Sequence, residues 1–204
     1  SQFGLGEPTG IELPEATGHM SSPTYSESVG EIWNPGDVLQ TSIGQSKSLF
    51  TPLQLATYTA TLANGGVRMK THLVKSVKSY SLDETVEDIE PEIVVDMGLS
   101  ETAVSAIRIR ASGQNGYSGT SGAYFGNYPI SVASKTGTPE TTGFPNGTYI
   151  CYAPADDPQI AVAVVIENGY HGYWGAAVAK AIFDEYFFGK TNDQLPTAAD
   201  TLLP

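Results

Sequence analysis

Three runs decide the fold: Ile130-Ser131-Val132-Ala133-Ser134-Lys135-Thr136-Gly137-Thr138, Thr148-Tyr149-Ile150-Cys151-Tyr152-Ala153 and Gln159-Ile160-Ala161-Val162-Ala163-Val164-Val165-Ile166-Glu167. Each is short and apolar, and residues that favour turns bound it, which predicts strands over 129–138, 148–153 and 159–167. Pro154-Ala155-Asp156-Asp157-Pro158 supplies the turn between the second and third. Connections this short imply an antiparallel meander. In the third run Ile160, Val162, Val164 and Ile166 fall on one face, and Ala161, Ala163 and Val165 on the other. Both sets are apolar, so this strand is expected to be central and covered on both sides.

Helices flank the strands. Residues 51–63 read as a helix, with Thr51 as N-cap, Pro52 at the first helical position and Asn64-Gly65-Gly66 as the stop. Its apolar face is Leu55, Ala56, Thr59, Leu62 and Ala63. A second helix is predicted over 101–111, capped by Ser100, with the stripe Ala103, Val104, Ile107 and Ala111. A closing helix spans 175–188, with Val178, Ala181, Ile182 and Tyr186 as its expected buried side and Gly189 as its end. Residues 1–50 read as loops and short elements, 67–81 as holding one strand, and 83–98 as acidic and irregular. Residues 113–128 are a Gly/Ser/Tyr-rich loop, either a lid or an ordinary surface connection. Strands and helices are segregated along the chain, so the fold class is α+β: an antiparallel sheet with helices packed on it.

With 204 residues, 40% of them apolar, the chain suits one domain or a large piece of one. Its net charge of −12 argues against nucleic-acid binding and against adsorption to anionic lipid. The acids are scattered, which describes a solvated surface rather than an interaction tail. Cys151 is the single cysteine, so no internal disulfide exists. It lies in a strand-like run with no histidine near it in sequence, and reads as a buried structural thiol rather than a nucleophile. His19, His72 and His171 are isolated, and nothing in the sequence calls for a metal or a cofactor. No apolar run reaches membrane-spanning length and no signal peptide opens the chain. Ser1-Gln2-Phe3-Gly4 looks like the interior of a domain, so an excised fragment or a proteolytic product is expected.

The chemistry-bearing run is Lys135-Thr136-Gly137-Thr138. Lys135 offers positive charge. Thr136 and Thr138 lie two apart, on one face of a strand, where their hydroxyls can bind a carboxylate together. Gly137 lets a ligand approach the backbone closely. A free N–H at a strand edge can stabilise an oxyanion. The four residues taken alone fit an exposed strand end equally well.

Four further blocks, in order along the chain, surround that run. They are Phe3-Gly4-Leu5-Gly6 with Thr9-Gly10-Ile11-Glu12-Leu13-Pro14; Gly36-Asp37 leading to Ser42-Ile43-Gly44-Gln45; Thr51-Pro52-Leu53-Gln54-Leu55-Ala56 with Leu62-Ala63-Asn64-Gly65-Gly66; and Tyr152-Ala153-Pro154-Ala155-Asp156 before Ile160-Ala161-Val162-Ala163-Val164. Together with Lys-Thr-Gly, the third motif of serine transpeptidases and serine β-lactamases, they resemble class B high-molecular-weight penicillin-binding proteins.

The resemblance implies the penicillin-binding-protein/serine β-lactamase-like fold, with residues 1–204 the C-terminal portion of one transpeptidase domain. It implies a serine acyl-enzyme formed on the D-Ala-D-Ala end of a peptidoglycan stem peptide, which β-lactams mimic. Lys135 would organise the serine hydroxyls. Thr136, Gly137 and Thr138 would bind the substrate, and the Thr138 N–H would complete the oxyanion hole. The implied partners are the stem peptide, β-lactams, the remainder of the domain and a cell-wall glycosyltransferase. The implied location is the extracytoplasmic face of the cytoplasmic membrane, with an anchor outside this chain.

The sequence departs from that family in three places. No lysine has serine three positions before it, and no asparagine has serine two before it, so the nucleophile motif Ser-x-x-Lys and the motif Ser-x-Asn are absent. In the family both precede the matching region, so this chain alone is expected to be inactive. Ser134 stands where the family usually carries glycine, either altering packing or adding a hydroxyl near the cleft. A β-lactam-sensing receptor domain is the alternative reading of the same strand. A serine β-lactamase comes third, disfavoured by the Thr-Gly-Ile-Glu-Leu-Pro block.

Overall fold

The structure, a computed structural model, describes residues 1–107 and 119–189. Three strands, β5 (Ala133–Gly137), β6 (Gly147–Ala153) and β7 (Ile160–Ile166), form one antiparallel sheet in the order β5-β6-β7. The meander is as the short turns require. Among the described residues, however, the central strand is β6 and β7 lies at an edge, which corrects the expectation drawn from its apolar sequence. Apolar residues on both faces report what lies above and below a strand, not which neighbours share its backbone hydrogen bonds.

Coverage on both faces does hold. One face of the sheet, with Tyr149, Cys151, Ala153 and Val162, packs against Phe125, Val132 and the closing helix α6 (Gly175–Phe188). The other face, with Ala133 and Tyr152, packs against Ala63 at the end of α3 (Pro52–Ala63). Cys151 is buried in the first cluster, and burial pushes its thiol pKa well above the ordinary value. It is an inert structural thiol.

α6 has the predicted bounds but turns a different face inward. Gly175, Ala176, Ala179 and Phe183 are buried, whereas Val178, Ile182 and Tyr186 are 46%, 39% and 53% exposed, and Ala181 is exposed too. The reason is close approach. A Cβ on Gly175 would fall 2.5 Å from Tyr149 Cβ, so this helix settles on the sheet through its small residues. Apolar bulk alone points to the wrong stripe.

α3 begins as predicted. Thr51 Oγ1 accepts the Gln54 N–H at 3.1 Å, and Gln54 Oε1 accepts the Thr51 N–H at 3.1 Å. This capping box satisfies two orphan donors. The inward face is more polar than expected. Gln54 is buried and its Nε2 donates to Glu7 O at 2.8 Å and Thr17 O at 2.6 Å, tying the N-terminal loops to α3. The buried Thr59 and Thr61 donate to carbonyls one turn back, Leu55 O at 2.6 Å and Thr57 O at 2.8 Å. Leu62 is buried; Leu55 and Ala56 are half-buried.

The N-terminal segment also holds two short helices, α1 (Pro23–Ser28) and α2 (Pro35–Ser42). Between residues 67 and 96 the chain forms two antiparallel ribbons: β1 (Val67–Met69) with β4 (Ile93–Asp96), and β2 (Ser76–Lys78) with β3 (Thr85–Asp88). The expectation of an irregular segment over 83–98 is therefore corrected, and residues 67–81 hold two strands, not one. Every residue of β3 is exposed, so no alternation of burial marks it in the sequence; pairing with β2 makes it a strand.

α4 (Glu101–Ile107) starts where predicted, with Ser100 Oγ accepting the Ala103 N–H at 3.2 Å. Its expected continuation through Ala111 lies outside the described residues, as do residues 113–118 of the Gly/Ser/Tyr-rich segment. The rest of that segment is neither lid nor surface connection. It forms α5 (Gly122–Phe125), with Phe125 and Ser121 fully buried and Tyr128 nearly so.

Candidate functional site

β5 lies at the sheet edge opposite β7, so its outer backbone groups are not used by the ladder with β6. Its register is Ala133 opposite Tyr152, Ser134 opposite Cys151, Lys135 opposite Ile150, Thr136 opposite Tyr149 and Gly137 opposite Thr148. Ala133 and Lys135 therefore share the α3 side, and Ser134 and Thr136 the α6 side. Thr59 and Leu62 of α3 line the same small cavity as Ala133, Lys135 and Ile150.

The Lys135 side chain is exposed, and its Nζ donates to Thr136 O at 2.7 Å. The ammonium is held against the backbone of its own strand, where it places positive charge beside the strand end. Thr136 is half-buried. Thr138, just past β5, is exposed, and its Oγ1 accepts the Gly172 N–H at 3.4 Å. A hydroxyl that accepts one hydrogen bond still has its proton to donate, so Thr138 can offer an O–H to a carboxylate.

Gly172 is a site residue that the sequence analysis missed. A Cβ there would fall 2.3 Å from Gly137 O and 2.8 Å from Gly137 N, so its backbone lies directly on Gly137. It belongs to a 3-10 turn, Gly172–Trp174, that leads into α6. His171, read as isolated, thus neighbours the strand end, and its ring stacks on Tyr173 with centroids 5.4 Å apart. The only signal available was a glycine inside an aromatic run, Tyr170-His171-Gly172-Tyr173-Trp174.

Ser134 settles as a packing residue. It is buried, and its Oγ is 3.2 Å from Oγ of the buried Ser121. Beside these two hydroxyls lies the buried Tyr149, whose phenol burial pushes up to about 12 although both serines favour the ionised form. A small polar cluster thus underlies the Lys-Thr-Gly strand on its α6 side. Among the described residues no three His, Cys, Asp or Glu side chains come together to hold a metal.

An edge strand carrying an ammonium and two hydroxyls can bind and polarise an anionic acyl substrate. The model of the penicillin-binding protein transpeptidase domain matches residues 1–187. The chain belongs to this transpeptidase family. Penicillin-binding protein 2A of Bacillus subtilis is 34% identical over 92% of the chain and 28% of its own length. Peptidoglycan D,D-transpeptidase MrdA of Acinetobacter baumannii is 29% identical over 97% of the chain and 31% of its own length. Among solved structures, an imipenem acyl-enzyme complex of penicillin-binding protein A from Mycobacterium tuberculosis superposes with a TM-score of 0.66 and 29% identity. That match covers 89% of this chain and 40% of that one. The chain spans about a third of the length of its curated transpeptidase relatives.

Proposed function

We propose that this chain is the C-terminal portion of one transpeptidase domain and that the whole protein cross-links peptidoglycan as a serine-type D,D-transpeptidase. A serine outside this chain attacks the carbonyl carbon between the two D-Ala residues. The C–N bond breaks, terminal D-Ala leaves with a proton, and an ester links stem peptide to enzyme. An amine of a second stem peptide then attacks the ester and returns the serine. A β-lactam acylates the same serine and blocks it. The observation that carries this reading is the edge strand that ends in Lys135-Thr136-Gly137-Thr138, with Lys135 and Thr138 exposed, in a chain of this family. The acyl-enzyme of the mycobacterial relative supports the covalent step.

Each residue of the strand has a part. Lys135 supplies the charge that organises the serine hydroxyls across the cleft. Thr136 and Thr138 bind the terminal carboxylate, and Gly137 keeps the backbone approachable. The Thr138 N–H stabilises the oxyanion together with the N–H of the nucleophile. The substrate places the reaction on the extracytoplasmic side of the membrane, with an anchor outside this chain and a glycan-polymerising enzyme beside it.

The test is covalent labelling of the full-length protein by a fluorescent penicillin. Wild type is expected to label, and Lys135→Ala to label about a hundredfold more slowly or less. The isolated chain is expected to take no label, since it contains no Ser-x-x-Lys. A full-length protein that never labels, or a stable penicillin adduct on the isolated chain, overturns the reading.

A further inference from the structure

The loop after α2 reaches across the molecule to the end of the Lys-Thr-Gly strand. The N–H of Glu140, two residues past Thr138, donates to Gln45 Oε1 at 3.2 Å. Gln45 sits on a fixed mount. Its own N–H donates to Gln40 O at 3.0 Å, and the Gly44 N–H donates to Thr41 O at 3.1 Å. On either side of it, Gly44 (φ 79°) and Ser46 (φ 82°) hold left-handed backbone. For serine that conformation is strained, and it persists only where the surroundings impose it. Here the surroundings include Ser21, nearly fully buried, whose hydroxyl lies 3.0 Å from Ser46 Oγ and whose N–H donates to Ser48 Oγ at 3.0 Å.

The receiving segment is held at successive residues. Thr138 Oγ1 accepts the Gly172 N–H at 3.4 Å, Pro139 O accepts the Asn146 N–H at 3.2 Å, and Glu140 N–H is held by Gln45. Two of these anchors come from the strand's own half of the chain. Gln45 comes from 95 residues earlier, on a loop kept in place by the strained mount.

We propose that Gln45 is a positioning residue for acyl transfer: by fixing Glu140 it holds the Thr138 backbone and hydroxyl where carboxylate and oxyanion must sit. The inference rests on the transpeptidase reading above and adds a residue to it. Geometry of this kind matters because oxyanion donors act only within a few tenths of an ångström of their place.

The experiment uses the full-length protein and benzylpenicillin. The acylation rate constant and the non-covalent dissociation constant are measured separately, alongside the melting temperature. Gln45→Leu is expected to slow acylation about fivefold to tenfold, the worth of one lost hydrogen bond and the play it releases, with an unchanged melting temperature. Gln45→Glu is expected to restore the rate, because a carboxylate oxygen accepts the same N–H. If Gln45→Leu fails to fold, Gln45→Ser carries the same expectation with a side chain too short to reach. Wild-type acylation by Gln45→Leu overturns the inference, and so does failure of Gln45→Glu to rescue it. Loss of folding in both the Leu and Ser variants overturns it as well, since the role would then be structural. Absence of labelling in wild type instead sinks the transpeptidase reading.

Discussion

The two halves of the molecule are built on different principles. From Ser121 to Phe188 the chain is held by an apolar core in which Phe125, Tyr149, Ala176, Ala179 and Phe183 are fully buried. Before Leu99 it is held by hydrogen bonds: the Gln54 bridges, the Thr51 cap, the serine cluster at Ser21 and two ribbons of two strands each. That half leaves Ile32, Leu39, Ile43, Tyr80, Leu82 and Val86 largely in solvent. The proposed reactive strand belongs to the well-packed half and is steadied from the other by Gln45. Rigid packing sets the strand; polar contacts set the rim around its end. Two-stranded ribbons have little independent stability, so that half depends on what it packs against.

The largest expected break in this contrast is at Phe183. Phe183→Ala should cost about 3–5 kcal/mol, through lost burial and the cavity left behind. Tyr80, 106% exposed at the β2–β3 turn, should tolerate alanine within about 0.5 kcal/mol. Urea unfolding of the two variants compares them directly, and equal losses would erase the distinction between the halves.

A smaller pair probes close approach. Gly175→Ala forces a Cβ to within 2.5 Å of Tyr149 Cβ and should cost about 1–3 kcal/mol as α6 lifts from the sheet. At Gly36 in α2 nothing lies within 4 Å of an added Cβ, so Gly36→Ala should be neutral or stabilising by up to about 1 kcal/mol. Thermal melts distinguish the two.

The smallest effect is a pH dependence carried by the packed half through Tyr149, to which the half-buried Tyr58 of α3 adds in the same direction. Unfolded, Tyr149 releases its proton near 10.0, whereas burial holds it to about 12 in the folded chain. Its contribution to stability is thus fully present below pH ~10 and is lost as pH rises through the folded value, about 1.4 kcal/mol gone by pH ~11. The raised Cys151 thiol acts in the same direction. Denaturant titrations from pH 8 to about 11 should show this fall, and Tyr149→Phe should lessen it by about 1.4 kcal/mol at pH ~11. An unchanged slope in that variant would remove Tyr149 from the account.

The antiparallel pairing of β5, β6 and β7 in succession, the Thr51 cap, the bounds of α6 and the Lys135-Thr136-Gly137-Thr138 run were legible in the sequence because each rests on neighbours in the chain. A cap is a contact three residues long, and a strand is an alternation over five to seven residues. What was misread depends on partners distant in sequence. The edge position of β7 follows from which strands share its hydrogen bonds. The inward face of α6 follows from how closely Gly175 lets it approach Tyr149. β3 is a strand only because β2 pairs with it.

The site divides the same way. The sequence by itself determined the family, through ordered blocks across nearly the whole chain, and marked Lys135, Thr136, Gly137 and Thr138 as the candidate anion-binding run. Only the tertiary structure decided that Ser134 faces the interior beside Ser121 and Tyr149, that Gly172 lies on Gly137, and that Gln45 holds the chain two residues beyond Thr138. A motif records which functional groups are present. Where those groups are held is fixed by backbone contacts spanning 34 and 95 residues, which no local pattern encodes.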